Sequence, residues 1–376
     1  MEILALRQAL TIMFDNAYKG KNVFVTGNTG FKGSWLIFWL MNLGANVCGY
    51  SLNLPTDPNH HEILNLDFET ISGDVRDFKK LQRGIEAFQP DIVFHMAAKS
   101  LVRKSYQNPA ETFETNVIGT VNVFEACRHT NFVRAIVNIT SDKCYENQEW
   151  IWGYRENDRL GGHDPYSASK GCAELVTASY RKSFFSLEEY QKSHQILVAS
   201  ARAGNVIGGG DWGDDRLVPD IMQATSQNEK VVIRSPQATR PWQHVLEPLS
   251  GYLLLGQQLL EGKREFSKAW NFGPTDEGYR NVLAVVRELQ KYWSNIDYKI
   301  KTDGKNPHEA NLLKLDCSKA YAKLKWKSVW DSSTTFAKTA QWYKEYYESG
   351  YDALSEEHLA EYIIDAKHKQ ISWAVQ

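Results

Sequence analysis

A glycine-rich turn between an apolar run and a helical run is the feature that most constrains the fold. Residues 22–26 form a short apolar run, and residues 34–42 carry Trp and Leu at helical spacing. Between them stand Gly27, Gly30 and Gly33, three residues apart. A strand, a glycine turn and a helix in this order let the backbone approach a pyrophosphate at the helix N-terminus. The sequence therefore predicts a dinucleotide-binding unit and a nucleotide cofactor.

Apolar runs and helical patterns continue to alternate along the first half of the chain, which is typical of a parallel sheet with crossover helices. Beyond residue 205 this alternation loosens and the strands shorten. We therefore predict an α/β fold, a doubly wound parallel sheet (Rossmann) with a smaller C-terminal substrate domain. The predicted division is an N-terminal arm (1–20), a dinucleotide-binding domain (21–205) and a mainly substrate-binding part with some return to the sheet (206–376). The tail after Ser355 is predicted to be a surface helix.

Composition narrows the possible partners and locations. The 376 residues carry a formal net charge of −2, which does not favour nucleic acid or an anionic membrane surface as a partner. Five widely spaced cysteines without a CxxC pair are typical of reduced thiols in a cytoplasmic protein. No metal-binding spacing of histidines is present, and no apolar run reaches the roughly 18 residues of a membrane span. We expect a cytoplasmic protein without a metal site.

The residues around the glycine turn leave the type of cofactor partly open. An acidic residue that would bind the ribose hydroxyls of NAD is absent from the end of the second strand, Tyr50 to Asn53, and so is an arginine for the phosphate of NADP. Lys32 is the nearest cation. Asp74 follows the third strand, where it could contact the adenine amino group or merely form a turn. We favour NAD and keep NADP as the alternative.

The strongest candidate chemistry lies in two runs of the middle of the chain. Thr140 to Lys143 follow the apolar run 134–139, at the end of a strand where parallel sheets bind ligands. Asp164 and Pro165 then predict a helix that starts at Tyr166 and carries Lys170 on the same face. An ammonium beside a phenol should lower the pKa of the phenol. The alternatives are a solvated turn at 142–143 and a chance Tyr–Lys pair.

Candidate contacts for an anionic substrate appear in the second half of the chain. Guanidinium groups suit diphosphate oxygens, and Arg216, Arg234 and Arg240 are therefore candidates. Asn271 stands at the end of a predicted strand. The alternative is that these arginines are solvated or paired with acids. We expect His95, within the fourth strand, to be packed, and Asn116 either to fix a backbone carbonyl or a water or to act as a local cap.

These motifs, together with Ala97-Ala98, Thr115-Asn116 and Asn205, resemble the extended short-chain dehydrogenase/reductases. Longer segments resemble more narrowly the CDP-glucose 4,6-dehydratase subfamily, over about residues 20 to 330. Those segments are residues 30–36, 140–147, 205–212 and 240–245. One departure is Asn28, which stands where this subfamily is expected to have His.

The resemblance implies a lyase that converts CDP-glucose to CDP-4-keto-6-deoxyglucose with a retained NAD. It implies that Tyr166 is the base at the 4-hydroxyl, Lys170 its partner, Ser141 a hydrogen-bond donor, Asp142 the acid at the 6-hydroxyl and Lys143 the base at C5. The predicted cofactor contacts are Gly27, Gly30, Phe31, Lys32, Gly33, Asp74, Val75, Ala97, Ala98, Lys99, Thr115, Tyr166 and Lys170. The predicted substrate contacts are Asn205, Arg216, Arg234, Arg240 and Asn271. Relatives pair through two long helices, here 115–129 and 166–184, so a homo-oligomer, dimer or tetramer, is expected.

Three functional hypotheses are compatible with these residues. A 4,6-dehydratase for a nucleotide-sugar substrate requires an acid and a base at C6 and C5, which Asp142 and Lys143 supply. An epimerase or reductase, or a dehydratase for another nucleotide-hexose, shares the fold, but a simple epimerase requires neither residue. A non-catalytic NAD-binding module would retain the glycine turn and usually lose Tyr166 or Lys170, and both are present. We therefore favour the dehydratase.

Overall fold

The computed structural model describes residues 13–275, 278–301, 312–350 and 354–375. Its strands are β1 (Asn22–Thr26), β2 (Asn46–Ser51), β3 (Glu69–Ser72), β4 (Ile92–His95), β5 (Ala135–Ile139), β6 (Leu197–Ala203), β7 (Asn205–Ile207), β8 (Lys230–Ile233), β9 (Thr239–His244), β10 (Ala269–Phe272), β11 (Tyr279–Asn281) and β12 (Asp297–Ile300).

The helices follow the strands closely in the first half of the chain and range from 5 to 19 residues in length. They are α1 (Phe31–Asn42), α2 (His60–Leu64), α3 (Phe78–Phe88), α4 (Val102–Gln107), α5 (Pro109–Phe113), α6 (Gly119–Arg128), α7 (Pro165–Ser183), α8 (Leu217–Ser226), α9 (Leu246–Leu260), α10 (Val282–Gln290), α11 (Ser332–Ser349) and α12 (Leu354–His368). A π-helical turn, Glu114–Ile118, joins α5 to α6.

A seven-stranded sheet in the order β10–β6–β5–β4–β1–β2–β3 forms the centre of the molecule. Every pairing in it is parallel. Residues of β1, β4 and β5 are almost completely buried, as expected for strands covered by helices on both faces. The direction of winding reverses between β1 and β4, and ligands of open parallel sheets bind beyond the carboxyl ends of strands at such a point. The predicted α/β doubly wound fold is confirmed.

The second half of the chain builds a smaller cluster around short strands. β9 pairs with β7 and β11, and β8 pairs in parallel with β12. A separate apolar core, which includes Trp212, Ile221 and Trp293, fills the space between these strands and α8, α10 and α11. β10 returns to the large sheet and pairs with β6. The division of the chain at residue 205 stays a prediction.

The C-terminal helix α12 does not lie on the surface as the sequence suggested. Tyr362 and Ile363 are fully buried in the main core, and Phe14 stacks on Trp373 with ring centroids 5.1 Å apart. The buried Glu247 of α9 accepts hydrogen bonds from the Trp330 amide (2.7 Å) and the Tyr362 hydroxyl (2.9 Å). The prediction failed because the mixed charge of the tail concealed its apolar face. Of the predicted N-terminal arm, residues 1–12 lie outside the described residues.

Three further observations limit the kinds of site that the molecule offers. None of the helices in the described ranges is long and apolar enough to cross a bilayer. Among the same residues, no three His, Cys, Asp or Glu side chains are grouped as metal ligands would be. All five cysteines belong to the described residues and are free thiols.

Candidate active site

A cavity of about 530 Å³ opens beyond the carboxyl ends of β1, β2 and β4. We call it the cofactor cavity because the glycine turn forms its floor. All the residues that the sequence predicted as cofactor contacts line its wall. They are Gly27, Gly30, Phe31, Lys32, Gly33, Asp74, Val75, Ala97, Ala98, Lys99, Thr115, Tyr166 and Lys170.

A second cavity of about 470 Å³ adjoins the first, and we call it the substrate cavity. Its walls come from the loop after β5, from β7 and from the segments around α8 and β8. Ser141, Asp142, Lys143, Asn205, Arg216, Arg234 and Arg240 line it. Phe31, Lys32, Ser100, Leu101, Thr140, Tyr166, Asp211 and Arg216 line both cavities and form their junction. The structure thus brings the predicted Tyr166 to the point where a bound cofactor and a bound substrate would meet.

The glycine turn owes its shape to close backbone packing. Gly27 has a φ of +78°, in the left-handed region that favours glycine, and its amide donates to the Tyr50 carbonyl at 2.8 Å. A Cβ on Gly33 would lie 2.1 Å from the Gly27 carbonyl oxygen. Helix α1 begins at Phe31, and no described side chain caps its start. Its first amide groups are therefore available to bind an anion in the cavity.

Asn28, the departure from the expected His, does not line the cavity. Its side chain is fully buried beneath the turn, where Oδ1 accepts a hydrogen bond from the Ser51 hydroxyl at 2.6 Å. Ser51 Oγ in turn accepts from the Thr29 amide at 3.3 Å. Asn28 therefore fixes the glycine turn to the end of β2, and its effect on a cofactor is indirect.

Asp74 is held by Arg76 at the far end of the cofactor cavity. The Arg76 guanidinium donates to Asp74 Oδ2 at 2.7 Å, and the Arg76 amide donates to Oδ1 at 2.8 Å. These bonds hold the pKa of the Asp74 carboxyl below its usual range. Arg76 also contacts Glu114 at 3.2 Å. Asp74 is therefore part of an ion-pair network, and little of its accepting capacity remains for an adenine amino group.

Lys32 does not stand where a second-strand cation for NADP would be needed. Its Nζ lies 5.7 Å from the centroid of the Tyr252 ring, at the junction of the two cavities. Burial and the neighbouring cations Lys170 and Arg216 lower the pKa of Lys32 to about 7. The Lys32 amine therefore belongs to the reacting end of the site.

The run Ser141 to Lys143 forms a short 3₁₀ turn directly after β5. The Ser141 hydroxyl donates to Asp142 Oδ1 at 2.9 Å and accepts from the Lys143 amide at 3.2 Å. Asp142 is buried, and burial raises the pKa of its carboxyl. Its Oδ2 has no hydrogen-bond partner among the described residues. A carboxyl in this state tends to keep its proton, which suits a proton donor. Lys143 is half-buried on the wall of the same cavity.

Tyr166 stands in the first turn of α7, which begins at Pro165, one residue before the predicted start. Asp164 caps the helix by accepting from the Ser167 amide at 2.9 Å, and the Tyr166 amide donates to the Ser105 hydroxyl at 3.1 Å. Lys170 lies one turn further along, with Nζ 3.4 Å from the Ile139 carbonyl oxygen. The helix therefore fixes both side chains at the end of β5.

The predicted lowering of the phenol pKa by Lys170 is not seen. Burial raises the pKa of Tyr166 to about 12, while Ser141 and Arg216 act in the opposite direction. Burial also lowers the pKa of Lys170 to about 8, against the attraction of Glu174. At this buried position the cost of desolvating a phenolate outweighs its attraction to the nearby positive charges. Formation of the phenolate therefore requires a further positive charge close to the ring.

A buried ion pair, which the sequence reasoning missed, lies behind the turn Ser141 to Lys143. Glu174 and Arg202 are joined at 2.7 Å, with their side chains 1% and 3% exposed. Glu174 also accepts from the hydroxyl groups of Thr140 (2.5 Å) and Ser200 (2.8 Å). Burial alone would raise the pKa of the Glu174 carboxyl, but Arg202 and these hydroxyls hold it below its usual range. Its position four residues after Lys170, on the same helix face, was the available sequence signal.

Three arginines of the substrate cavity are paired with acids, and for Arg216 and Arg234 the alternative interpretation foresaw this; Arg240 donates to the Thr239 carbonyl at 3.0 Å. Arg216 contacts Asp211 at 2.7 Å. Arg234 contacts Asp215 at 3.2 Å, and Arg103, which the sequence reasoning did not single out, reaches the same carboxylate at 3.6 Å. These groups nevertheless line the cavity, where an anionic ligand could compete for them.

Asn271 is the one predicted substrate contact that lies outside the substrate cavity. Its side chain is fully buried, accepts from the Tyr145 hydroxyl at 2.8 Å and donates to the Tyr154 carbonyl at 2.8 Å. The Tyr145 hydroxyl also accepts from Arg202 at 2.7 Å. Asn271 thus belongs to the buried network behind the turn Ser141 to Lys143, and it does not line the cavity for which it was predicted as a substrate contact.

His95 and Asn116 support the cofactor cavity without reaching a ligand position. His95 is buried between the hydroxyl groups of Thr26 (2.7 Å) and Thr120 (3.2 Å), which makes it a packed residue. Asn116 accepts from the Lys99 amide at 2.8 Å and donates to the Lys99 carbonyl at 3.0 Å. Asn116 therefore fixes the backbone after β4, one of the predicted alternatives.

Comparison with known proteins gives a consistent result. The model of a family described as GDP-mannose 4,6 dehydratase matches residues 24–339. A curated CDP-glucose 4,6-dehydratase of Salmonella typhimurium is 53% identical over 332 residues, which covers 88% of this chain and 92% of the relative.

Solved structures share the fold at lower identity. An epimerase, Mth375, from Methanothermobacter thermautotrophicus superposes with a TM-score of 0.76 at 22% identity and covers 93% of this chain and 98% of its own. A dTDP-glucose 4,6-dehydratase from Bacillus anthracis in complex with NAD has a TM-score of 0.73 at 20% identity, with coverage of 89% and 100%. At this level of identity the likeness shows the fold.

Proposed function

The chain belongs to the GDP-mannose 4,6 dehydratase family, and from this premise we propose that it is a hydro-lyase that converts CDP-glucose to CDP-4-keto-6-deoxyglucose. The relative with 53% identity bears the name of this activity. The observation in the structure that carries the proposal is the buried, unpaired Oδ2 of Asp142 on the same cavity wall as Tyr166. An enzyme that only epimerises C4 does not require a proton donor at this place.

NAD is the cofactor that we propose for the cofactor cavity. The glycine turn, the free amides at the start of α1 and the small residues Ala97 and Ala98 suit a dinucleotide laid along the strand ends. Bound NAD supplies a cationic ring that takes hydride from the hexose and returns it, and its charge favours the phenolate of Tyr166. The raised pKa of the phenol makes this assistance necessary.

The first step of the proposed reaction takes place at C4 of the hexose. The Tyr166 oxygen accepts the proton of the 4-hydroxyl while the hydrogen on C4 leaves with its electron pair, so that C4 becomes a ketone. Ser141 donates a hydrogen bond to the 4-oxygen, and Lys170 binds the cofactor ribose beside Tyr166. A single well-placed proton acceptor contributes a factor of about 10²–10⁴ to the rate of such a step.

The second step removes water across C5 and C6. The ketone acidifies the C5 proton, which Lys143 accepts, and Asp142 donates its proton to the departing 6-hydroxyl. The raised pKa of the Asp142 carboxyl keeps that proton available. Return of the hydrogen to C6 and of a proton to C5 completes the 4-keto-6-deoxy sugar, with no net change in the cofactor.

A panel of CDP-, UDP-, dTDP- and GDP-glucose tests this proposal. We expect a 4-keto-6-deoxy product from CDP-glucose, with one oxygen lost as water and no net accumulation of NADH. Continuous accumulation of NADH would indicate a plain dehydrogenase instead. A product with unchanged mass and inverted C4 would indicate an epimerase.

We also propose that the protein is a cytoplasmic homodimer or a tetramer built from such dimers. Support for dimerisation comes from the exposed apolar side chains on the helical face around α6 and α7: Ile118 is 50% exposed, Leu175 59% and Phe184 46%. Apolar side chains of this size rarely cluster on the surface of a monomer. Sedimentation analysis of the wild type and of Leu175→Glu tests the proposal, because a monomeric wild type would contradict it.

A further inference from the structure

The substrate cavity has a reacting end and a far end. The reacting end is the junction with the cofactor cavity, where Tyr166 lies. We call the part lined by Asp220 of α8 and the segment Val232–Ser235 the far end, because these residues do not line the cofactor cavity and lie on elements other than the turn that carries Asp142 and Lys143. If a hexose occupies the junction, as the proposed function requires, the nucleoside of the substrate extends toward this far end.

Four carboxylic acids line the substrate cavity, and three of them have partners. Asp142 accepts from Ser141, Asp211 is paired with Arg216, and Asp215 bridges Arg103 and Arg234. The side-chain carboxyl of Asp220 makes no hydrogen bond or salt bridge within the part of the chain that the structure describes. A carboxyl group that lines a cavity without a donor is suited to receive one from a ligand.

The surroundings of Asp220 strengthen this interpretation. It stands in the first turn of α8, and its amide is fixed by a hydrogen bond to the Arg216 carbonyl at 2.9 Å. Burial and the nearby Asp215 raise the pKa of its carboxyl to about 6, while Arg234 opposes this shift. At neutral pH the group is therefore mainly ionised but poorly stabilised, and a ligand N–H would relieve that deficit.

We propose that Asp220 accepts a hydrogen bond from the 4-amino group of cytosine and thereby selects CDP-hexoses over UDP- and dTDP-hexoses. The inference rests on the proposed function and deepens it by naming a residue that reads the base. Cytosine presents an amino donor at C4, where Asp and Glu are its usual partners. Uracil and thymine present a carbonyl oxygen at that position, which a carboxylate repels.

Asp220→Asn is the decisive variant because its amide can accept from cytosine and also donate to the carbonyl of uracil. We expect the ratio of the Kd for UDP to the Kd for CDP, measured by calorimetry, to fall by about tenfold or more relative to the wild type. Asp220→Ala, which removes the acceptor, should weaken CDP binding about tenfold and leave UDP binding nearly unchanged. Glu229→Gln, an exposed acid just beyond α8, is the matched control and should keep the wild-type ratio.

The outcomes distinguish this inference from the proposed function. A wild-type preference for CDP that survives unchanged in both Asp220 variants, with unaltered thermal unfolding, would overturn the assignment of Asp220 and leave the dehydratase intact. A wild type that binds CDP and UDP equally would also overturn it. Failure of the wild type to form a 4-keto product from any nucleotide-hexose would refute the proposed function, whatever the ratio of the two Kd values.

Discussion

The cofactor cavity and the substrate cavity adjoin one another but are built in different ways. The first is formed largely by backbone at the ends of neighbouring strands, with a glycine turn, two alanines and the amides of α1. The second is formed by side chains from segments far apart in sequence, and three of its arginines are already paired with aspartates of the same cavity. The backbone groups of the cofactor cavity suit one class of ligand. The ion pairs of the substrate cavity involve side chains, so substitutions there can adapt the cavity to different substrates.

Because of this difference, we expect the first cavity to supply affinity for a dinucleotide and the second to supply selectivity among substrates. Amide groups and a helix terminus bind a pyrophosphate in the same way in any protein of this fold. Arginines held by aspartates must exchange one anion for another when a diphosphate arrives, so the net gain depends on geometry and on the remaining contacts. The following substitutions test the comparison, beginning with the residue at the junction.

Tyr166→Phe should have the largest effect because the phenol belongs to both cavities. We expect formation of the keto product to fall by a factor of about 10²–10⁴, with bound NAD and thermal unfolding nearly unchanged. The measurement is kcat with CDP-glucose beside the cofactor content of the purified protein. Tyr321→Phe, an exposed tyrosine far from the site, is the control. Retention of a tenth or more of the activity would contradict the role of the phenol.

Asp142→Asn should separate the two steps of the reaction. Oxidation at C4 needs no acid at C6, so we expect bound NADH to accumulate while product formation falls by about 10²–10³. A single-turnover measurement of NADH absorbance beside product analysis distinguishes the two. Loss of NADH formation together with loss of product would instead assign Asp142 to the first step. Asp158→Asn, in the loop after the turn Ser141 to Lys143, is the control.

The pH dependence of elimination follows from the same carboxyl group. Burial raises the pKa of Asp142, and the group must be protonated to act as the acid. This requirement adds a limb to the pH profile, on which the rate of elimination declines as the pH rises through the raised pKa of Asp142. Single-turnover elimination measured across pH should show this limb in the wild type, and the limb should be absent from the residual rate of Asp142→Asn.

Gly33→Ala tests the backbone wall. The added Cβ would lie 2.1 Å from the Gly27 carbonyl, so the turn must shift, at a cost of about 1–3 kcal/mol in the free energy of unfolding. We also expect loss of NAD from the purified protein. Gly30→Ala is the matched comparison for stability, since its Cβ would lie at 3.4 Å from the same carbonyl oxygen. Equal destabilisation by the two substitutions would contradict the argument from close packing.

Arg234→Gln tests the wall of ion pairs and should have the smallest effect. Asp215 and the neighbouring arginines can partly compensate, so we expect the KM for CDP-glucose to rise about tenfold, with kcat and NAD content nearly unchanged. Arg159→Gln, on the exposed surface, is the control. A fall in NAD content would contradict this prediction, because it would show that a change in the substrate cavity also affects the cofactor cavity.

The same contrast explains what could be predicted from the sequence. Local rules suffice for the glycine turn, the start of α7 at Pro165 and the order of the strands, because each depends on neighbouring residues. Arg216 pairs with Asp211, five residues away, and Arg234 with Asp215, 19 residues away; both pairs depend on loop geometry that residue spacing alone does not predict. The Glu174–Arg202 pair joins residues 28 positions apart. The raised pKa of Tyr166 was missed because the spacing of Tyr166 and Lys170 along a helix does not show how deeply the phenol is buried.

The contact between Phe14 and Trp373 joins the two ends of the described chain, and this affects folding during synthesis. The strands of the nucleotide-binding sheet are synthesised early. The main core also needs α9, Trp330 and α12, so it is complete only when nearly all of the chain has emerged from the ribosome. Nascent chains that end before α12 therefore expose the apolar surface that α12 would cover. Proteins truncated after residue 350 should therefore be recovered mainly as insoluble material.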